Sequence, residues 1–467
     1  MKTIIKTNST IYRRNYLLLV LIGLFGSCDS FVAVDLPSSQ LSGEAIFTDA
    51  STASAALMDV YSKMRKSVLV TGASNGISNL LGHSGDELTY YSSGTLPELD
   101  FNQNGLVATN TTIMSTWSGT YNLIYAVNAV IEGVSNSTTM SAENKEKLLG
   151  EALFVRAYLH FYLVNLFGEI PYVKSTNYQF NTTISKSSVS DVYGLLTTDL
   201  QQAVTLMPEA YPTAERVRPN RSVAYALLAR VKLYSENWSE ALLYSDKVIA
   251  TTSLYTWVPN LNQLFLKGST GTLWQLMAPV VGANTLDAQT FIFSSGPPPN
   301  RALSSSFISS FEAGDLRRTS WIGTVTTGGK SWYYPFKYKL NNAAASSTEY
   351  SILFRLEEQY LIRAEANAQL GNLEKCKLDL NKIRNRAGLA NTIALNKEEL
   401  STAILKERRV ELFSELGHRW FDLKRTGLSN TVLSVVKPGW QFTDVLWPYP
   451  EAELLLNPNL LPQNTGY

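Results

Sequence analysis

At 467 residues the chain is long enough for one large core or for two to three domains. Hydrophobic residues make up 45% and charged residues 17%, which argues against a disordered chain, and a formal net charge of +1 argues against the basic field of a nucleic-acid binder. Two cysteines, Cys28 and Cys376, and three histidines, His83, His160 and His418, leave no basis for a disulfide framework or a zinc cluster, and no cofactor or metal ligand set is read from the sequence.

In chain order, Lys2, Lys6, Arg13 and Arg14 precede an apolar run of ten residues, Tyr16–Phe25. Such a run is too short for a bilayer core of roughly 30 Å and suits the centre of a signal peptide. Gly26, Ser27 and Cys28 follow in a pattern that resembles a bacterial lipobox, with Phe25 where Leu is usual. Residues 1–27 are therefore predicted to be a lipoprotein signal peptide and Cys28 the lipidated residue. Residues 28–43 form a polar tether ahead of a folded body over 44–467. A multiply acylated Cys makes a stable membrane anchor, whereas one chain binds only marginally. The alternative is an ordinary secretory signal cut elsewhere.

The body starts with a helix over Thr48–Lys66, capped by Thr48 or Asp49. Ser67–Ala108 reads as a long loop. Helices follow at Ile113–Glu132, Asn144–Phe167 (stopped by Gly168 and Pro171) and Ser190–Met207. His160, among Tyr158, Phe161 and Tyr162, is expected to be a satisfied core residue.

Two helical hairpins come next, Ser222–Tyr234 with Trp238–Ala250 and Tyr360–Leu370 with Glu374–Arg386. They align at an offset of 135 residues: Tyr225 with Tyr360, Ala229 with Ala364, Asn237 with Asn372, Ala241 with Cys376. Small residues at these positions allow the close approach of a tetratricopeptide hairpin. Cys376 is thus a small buried residue. Copies so far apart are expected to need other helix pairs as neighbours. The fold class is mainly α: helical hairpins over 44–250 and 351–467, with an irregular insert over 251–350 rich in Gly and in short strand-like alternations such as Thr272–Met277 and Thr290–Phe293.

The insert concentrates aromatic residues, Trp257, Trp274, Trp321, Trp332, Tyr333 and Tyr334, and the 67–108 loop adds Tyr90 and Tyr91 beside Asp86 and Glu87. Sugar rings stack their C–H faces on aromatic planes while their hydroxyls need carboxylates and amides. The candidate ligand-binding residues chosen on this chemistry are Asp86, Tyr90, Tyr91, Trp257, Trp321 and Trp332. Trp274, in an apolar alternation, is expected in the core.

The last third carries the most specific pattern. In Ala403–Gly427 the apolar residues Leu405, Leu412, Leu416, Trp420 and Leu423 line one helix face, with a Glu415–Arg419 pair expected beside it. Gly417 inside that helix implies a place where a side chain does not fit. Glu407, Glu411 and Glu415 each have Arg within reach, so they are expected to lock the helix to its neighbours and not to catalyse. This stretch resembles the ERR-xEL-xxE-GxR-xxDLxR segment of the SusD/RagB-like family of bacterial outer-membrane lipoproteins. Phe311–Arg317 resembles its FExxDxR segment, and Leu446–Tyr467 resembles its ending. The resemblance implies a tetratricopeptide-like scaffold bearing a less regular part, on a lipid-anchored protein of the outer membrane facing the cell exterior. It also implies binding of oligo- or polysaccharide, delivery to a SusC-like TonB-dependent transporter, and no catalysis. The alternatives are a peptide-binding member of the same family, or a glycoside hydrolase drawing on Asp86, Glu87 or Asp315.

Overall fold

Asp49 caps the first scaffold helix, α1 (Ala50–Ser67), its carboxylate accepting from the Ser51 and Thr52 amides. The same logic starts most helices that follow. Asn110 caps α3 (Thr111–Asn136), Ser141 caps α4 (Ala142–Phe167), Ser188 caps α5 (Val189–Leu206) and Asn220 caps α6 (Arg221–Tyr234). Gly168, at φ +78°, ends α4 where a left-handed turn is needed. The computed structural model describes residues 46–94 and 97–467, so the expected signal peptide, Cys28 and the tether lie outside the described residues. Phe47–Tyr467 form one unit.

The fold is mainly helical. α1 packs on α3, α3 on α4, α4 on α5 and α5 on α6; α6 pairs with α7 (Trp238–Ala250), which packs on α8 (Leu356–Gln369). α8 pairs in turn with α9 (Leu373–Arg386), and α10 (Lys397–Glu411) closes against both. The centre of the pile is α4, buried on all sides from Gly150 to Phe167. His160 sits there with Nδ1–H donating to the Arg156 carbonyl at 2.9 Å and Nε2 accepting from the Val173 amide at 3.1 Å, so it is the satisfied core histidine expected. Trp274 is fully buried against Tyr61, Phe154 and Tyr158.

The two hairpin copies stack directly, contrary to expectation. Ala229, Leu233, Ala241, Ile362 and Ala366 form one small core between them. The chain between α7 and α8 is looped out, and its ends are brought together by antiparallel pairing of β2 (Thr272–Leu276) with β6 (Ser351–Arg355). Cys376 is buried in its small-residue slot, and burial pushes its thiol up to about 12.

Three other expectations are corrected. Residues 67–108 include α2 (Ile77–Ser84) and β1 (Leu88–Tyr90), which pairs with β3 (Arg301–Leu303) more than two hundred residues later. Thr290–Phe293 is not a strand, because a short helix covers Leu286–Phe291. Ala403–Gly427 is not one helix. α10 ends at Glu411, a turn follows with positive φ at Ser414, Leu416 and Gly417, and α11 (His418–Arg425) begins again. The turn has better partners than a helix would give it: the Leu416 amide donates to Ser78 Oγ at 2.8 Å, and Phe413 joins the insert's core beside Phe307. Gly417 is needed twice over, since φ is +73° and a Cβ there would lie 2.3 Å from Leu81.

A buried ion network binds the insert to the scaffold. Glu411 Oε1 accepts from Arg355 at 2.7 Å and Arg386 at 2.6 Å, and its Oε2 from Arg317 at 3.0 Å. Arg317 is also held by Asp315 and Glu407. Glu415 does not pair with Arg419; it accepts from Arg355 and from Lys337. These groups are almost wholly out of water, where a charge persists only if paired. Despite burial, the three guanidiniums hold the Glu411 carboxyl far below the usual carboxylate range. The glutamates at four-residue spacing are therefore locks, as expected.

Candidate functional site

Loop residues 296–300 tie together two of the aromatic candidates. β4 (Ile322–Thr327) and β5 (Lys330–Pro335) form a hairpin that puts Trp332 opposite Val325, and the Trp332 ring lies against Gly296, where a Cβ would meet it at 2.3 Å. At the other end of the loop the Asn300 carbonyl accepts from the Tyr91 amide at 2.7 Å. Tyr91 is 40% exposed and Trp332 is half-buried. Asn300 also lines a cleft of about 520 Å³, together with Asn75, Glu98, Gln289, Thr290 and Arg301. That volume falls within the range of sites that hold small organic ligands.

The remaining candidates are placed differently. Trp321 is 0% exposed, its indole N–H donating to the Leu261 carbonyl and its ring packed on Phe265, so it belongs to the insert's core and offers no surface. Asp86 is 4% exposed and held by Arg409 and Arg419, which removes it from ligand duty. Trp257 is half-buried on the scaffold, between Tyr360, Lys382 and Arg386, with the Arg386 guanidinium 4.4 Å from its ring. Tyr90 is half-buried, its hydroxyl donating to the Gly94 carbonyl at 2.5 Å. Composition marked the aromatic loops but not which rings turn inward.

The fold, the cleft and the motif order all bear on comparison with known proteins. A family model described as starch-binding associating with outer membrane matches residues 89–233, and the SusD family model matches residues 308–467. The chain belongs to the SusD/RagB-like family. A SusD-like protein of Formosa agariphila, P2, is 28% identical over 424 residues, 77% of this chain and 81% of that one. A SusD superfamily protein of Bacteroides vulgatus superposes with a TM-score of 0.80 at 21% identity, covering 90% of this chain and all of that one. A laminarin-binding SusD-like protein superposes at 0.74 and 22% identity, covering 89% and 99%.

The cleft of this SusD-like chain was not legible as a site. Arg301 and Glu98 face it from segments brought together by the β1–β3 pairing, and no local pattern announces that pairing. Arg301 donates to the Thr290 carbonyl at 2.7 Å and to Glu98 Oε1 at 3.3 Å, while its Nε has no partner among the described residues. The carboxylates weighed for hydrolysis do not face one another across a cleft. Asp315 is clamped by Arg317, Asp86 by two arginines, and Glu87 is buried, where desolvation and the Asp86 charge push it up to about 7. A second groove, of about 430 Å³, runs along α3 past Tyr121, Tyr125 and Tyr178 to Leu456. Its lining is mainly apolar, and the Tyr121 hydroxyl is engaged by the Pro171 carbonyl. No helix among the described residues is long and apolar enough to cross a membrane.

Proposed function

We propose that this SusD-like protein is held at the outer-membrane surface by lipid on Cys28, captures oligo- or polysaccharide, and delivers it to a SusC-like TonB-dependent transporter. The observation that carries the reading is that Trp332 and Tyr91 meet the two ends of one loop, 296–300, whose Asn300 end opens onto a cleft lined by polar side chains. Rings supply flat apolar faces for the C–H surfaces of a sugar; the amides and hydroxyls alongside supply its hydrogen bonds. Family membership supports the same ligand class, and a laminarin-binding relative shares the fold. Binding on a preformed surface needs no reacting group, and the process proposed is capture and transfer without bond cleavage.

The test is a binding screen of the purified mature protein against a glycan panel and a peptide panel, with released sugars assayed in parallel. The reading predicts retention on glycan and no new reducing ends. Binding to peptides alone would replace the ligand class, and released oligosaccharide would replace capture by hydrolysis. Co-purification of a TonB-dependent transporter from outer membranes tests the partner separately.

A further inference from the structure

The cleft's charge and donor set narrow the ligand further. Glu98 and Arg301 contribute its carboxylate and its guanidinium, and they lie against each other at 3.3 Å with Arg301 only 7% exposed. Everything polar around them is uncharged: Ser74, Asn75, Thr112, Gln289, Thr290 and Asn300. The contact between the two ions is single, through one guanidinium nitrogen and Glu98 Oε1. It is therefore not the closed two-bond fork of a purely structural Arg–carboxylate pair, such as Arg230 with Glu358 in the scaffold.

Resting on the glycan reading, we infer that this cleft selects electrically neutral sugar residues, with Glu98 and Arg301 acting as an acceptor–donor pair for adjacent ring hydroxyls. A hydroxyl is both donor and acceptor. One member of a vicinal pair donates to the free lone pairs of Glu98, and its neighbour accepts from the guanidinium. Each bond involves an ion and is stronger than a neutral one. The amides of Asn75, Gln289 and Asn300 extend the same alternation of donors and acceptors. A uronate or a sulfate entering the cleft meets an ion pair of net zero charge, with no unpaired cation to receive it and with the Glu98 carboxylate opposing it at close range. Juxtaposed like charges are penalised heavily where water is scarce. The pair thus grips neutral pyranose and turns away acidic polysaccharide.

The experiment titrates the mature protein calorimetrically with oligosaccharides of matched length: neutral glucose, mannose and xylose oligomers, uronic-acid oligomers and sulfated galactose oligomers. The wild type is expected to bind a neutral series and to bind the acidic series at least about tenfold more weakly. Glu98→Gln leaves Arg301 uncompensated, so affinity for the neutral ligand falls while affinity for an acidic one rises, a reversal that a merely structural role would not produce. Gln289→Ala, at an exposed position, is expected to cost about threefold in neutral-ligand affinity with an unchanged thermal midpoint, and it reports on the cleft should Glu98→Gln fold poorly. Wild-type binding of an acidic oligomer as tight as a neutral one, and lost in Trp332→Ala, would overturn the charge selection while leaving glycan capture standing. Neutral binding unaffected by Trp332→Ala, Glu98→Gln and Gln289→Ala alike would place the glycan elsewhere and overturn both.

Discussion

Single side chains decide how much of this molecule is lock and how much is site. Glu411 accepts from three guanidiniums, two on the scaffold and one on the insert. Replacing it leaves buried positive charge without its partner, so Glu411→Gln is expected to cost about 3–5 kcal/mol of unfolding free energy by denaturant titration. A loss under about 1 kcal/mol would show that the network does not hold the insert on the scaffold. Glu87 behaves in the opposite sense. Burial and the neighbouring Asp86 charge raise it from 4.5 to about 7, so the fold favours its neutral form. That contribution is complete below the unfolded value and is lost as pH rises through the folded one. Wild type should therefore lose more stability than Glu87→Gln between about pH 5 and about pH 8, read from thermal midpoints; parallel curves would refute the assignment.

At the scale of elements, what the sequence makes readable is local. Helices α4 to α7 fall within two residues of their expected ends, and α3 starts two residues early and runs four past Glu132; Asn, Ser and Gly terminate them by short-range hydrogen bonds and backbone freedom. The break after Glu411 was hidden, because its causes are distant: Ser78 and Leu81 on α2 and Glu87 beside β1 take over the turn's amides and its glycine. The direct contact of α7 with α8 was hidden for the same reason, with the long looped-out segment lying between them in sequence. Among the site candidates, Tyr91 and Trp332 meet opposite ends of the 296–300 loop while Trp321 turns inward, and periodicity over six residues does not separate these fates. Ala241→Leu tests the stacking. Four side chains already fill that small core, so overpacking is expected to cost about 1–3 kcal/mol, and an unchanged midpoint would mean that the hairpins do not meet there.

For the whole molecule, the architecture separates the supporting stack from the segment proposed to capture the ligand. A stack of helices carries a looped-out segment whose ends are clamped by the β2–β6 pairing and whose body is bolted on by buried ions, and the proposed ligand surface is its outer hairpin and the 296–300 loop. The proposed anchoring is a separate matter, assigned to Cys28 at the start of the expected mature chain. Cys28→Ala should move the protein from the membrane fraction to the soluble fraction with its thermal midpoint unchanged, and retention in membranes would refute the lipid anchor.

The most direct test of the central claim is a calorimetric titration of a bound glycan into wild type and into the combined Tyr91→Ala, Trp332→Ala variant. Loss of two stacking faces predicts an affinity drop of at least about tenfold with the midpoint of unfolding nearly unchanged. Affinity equal to wild type in a folded double variant would contradict it.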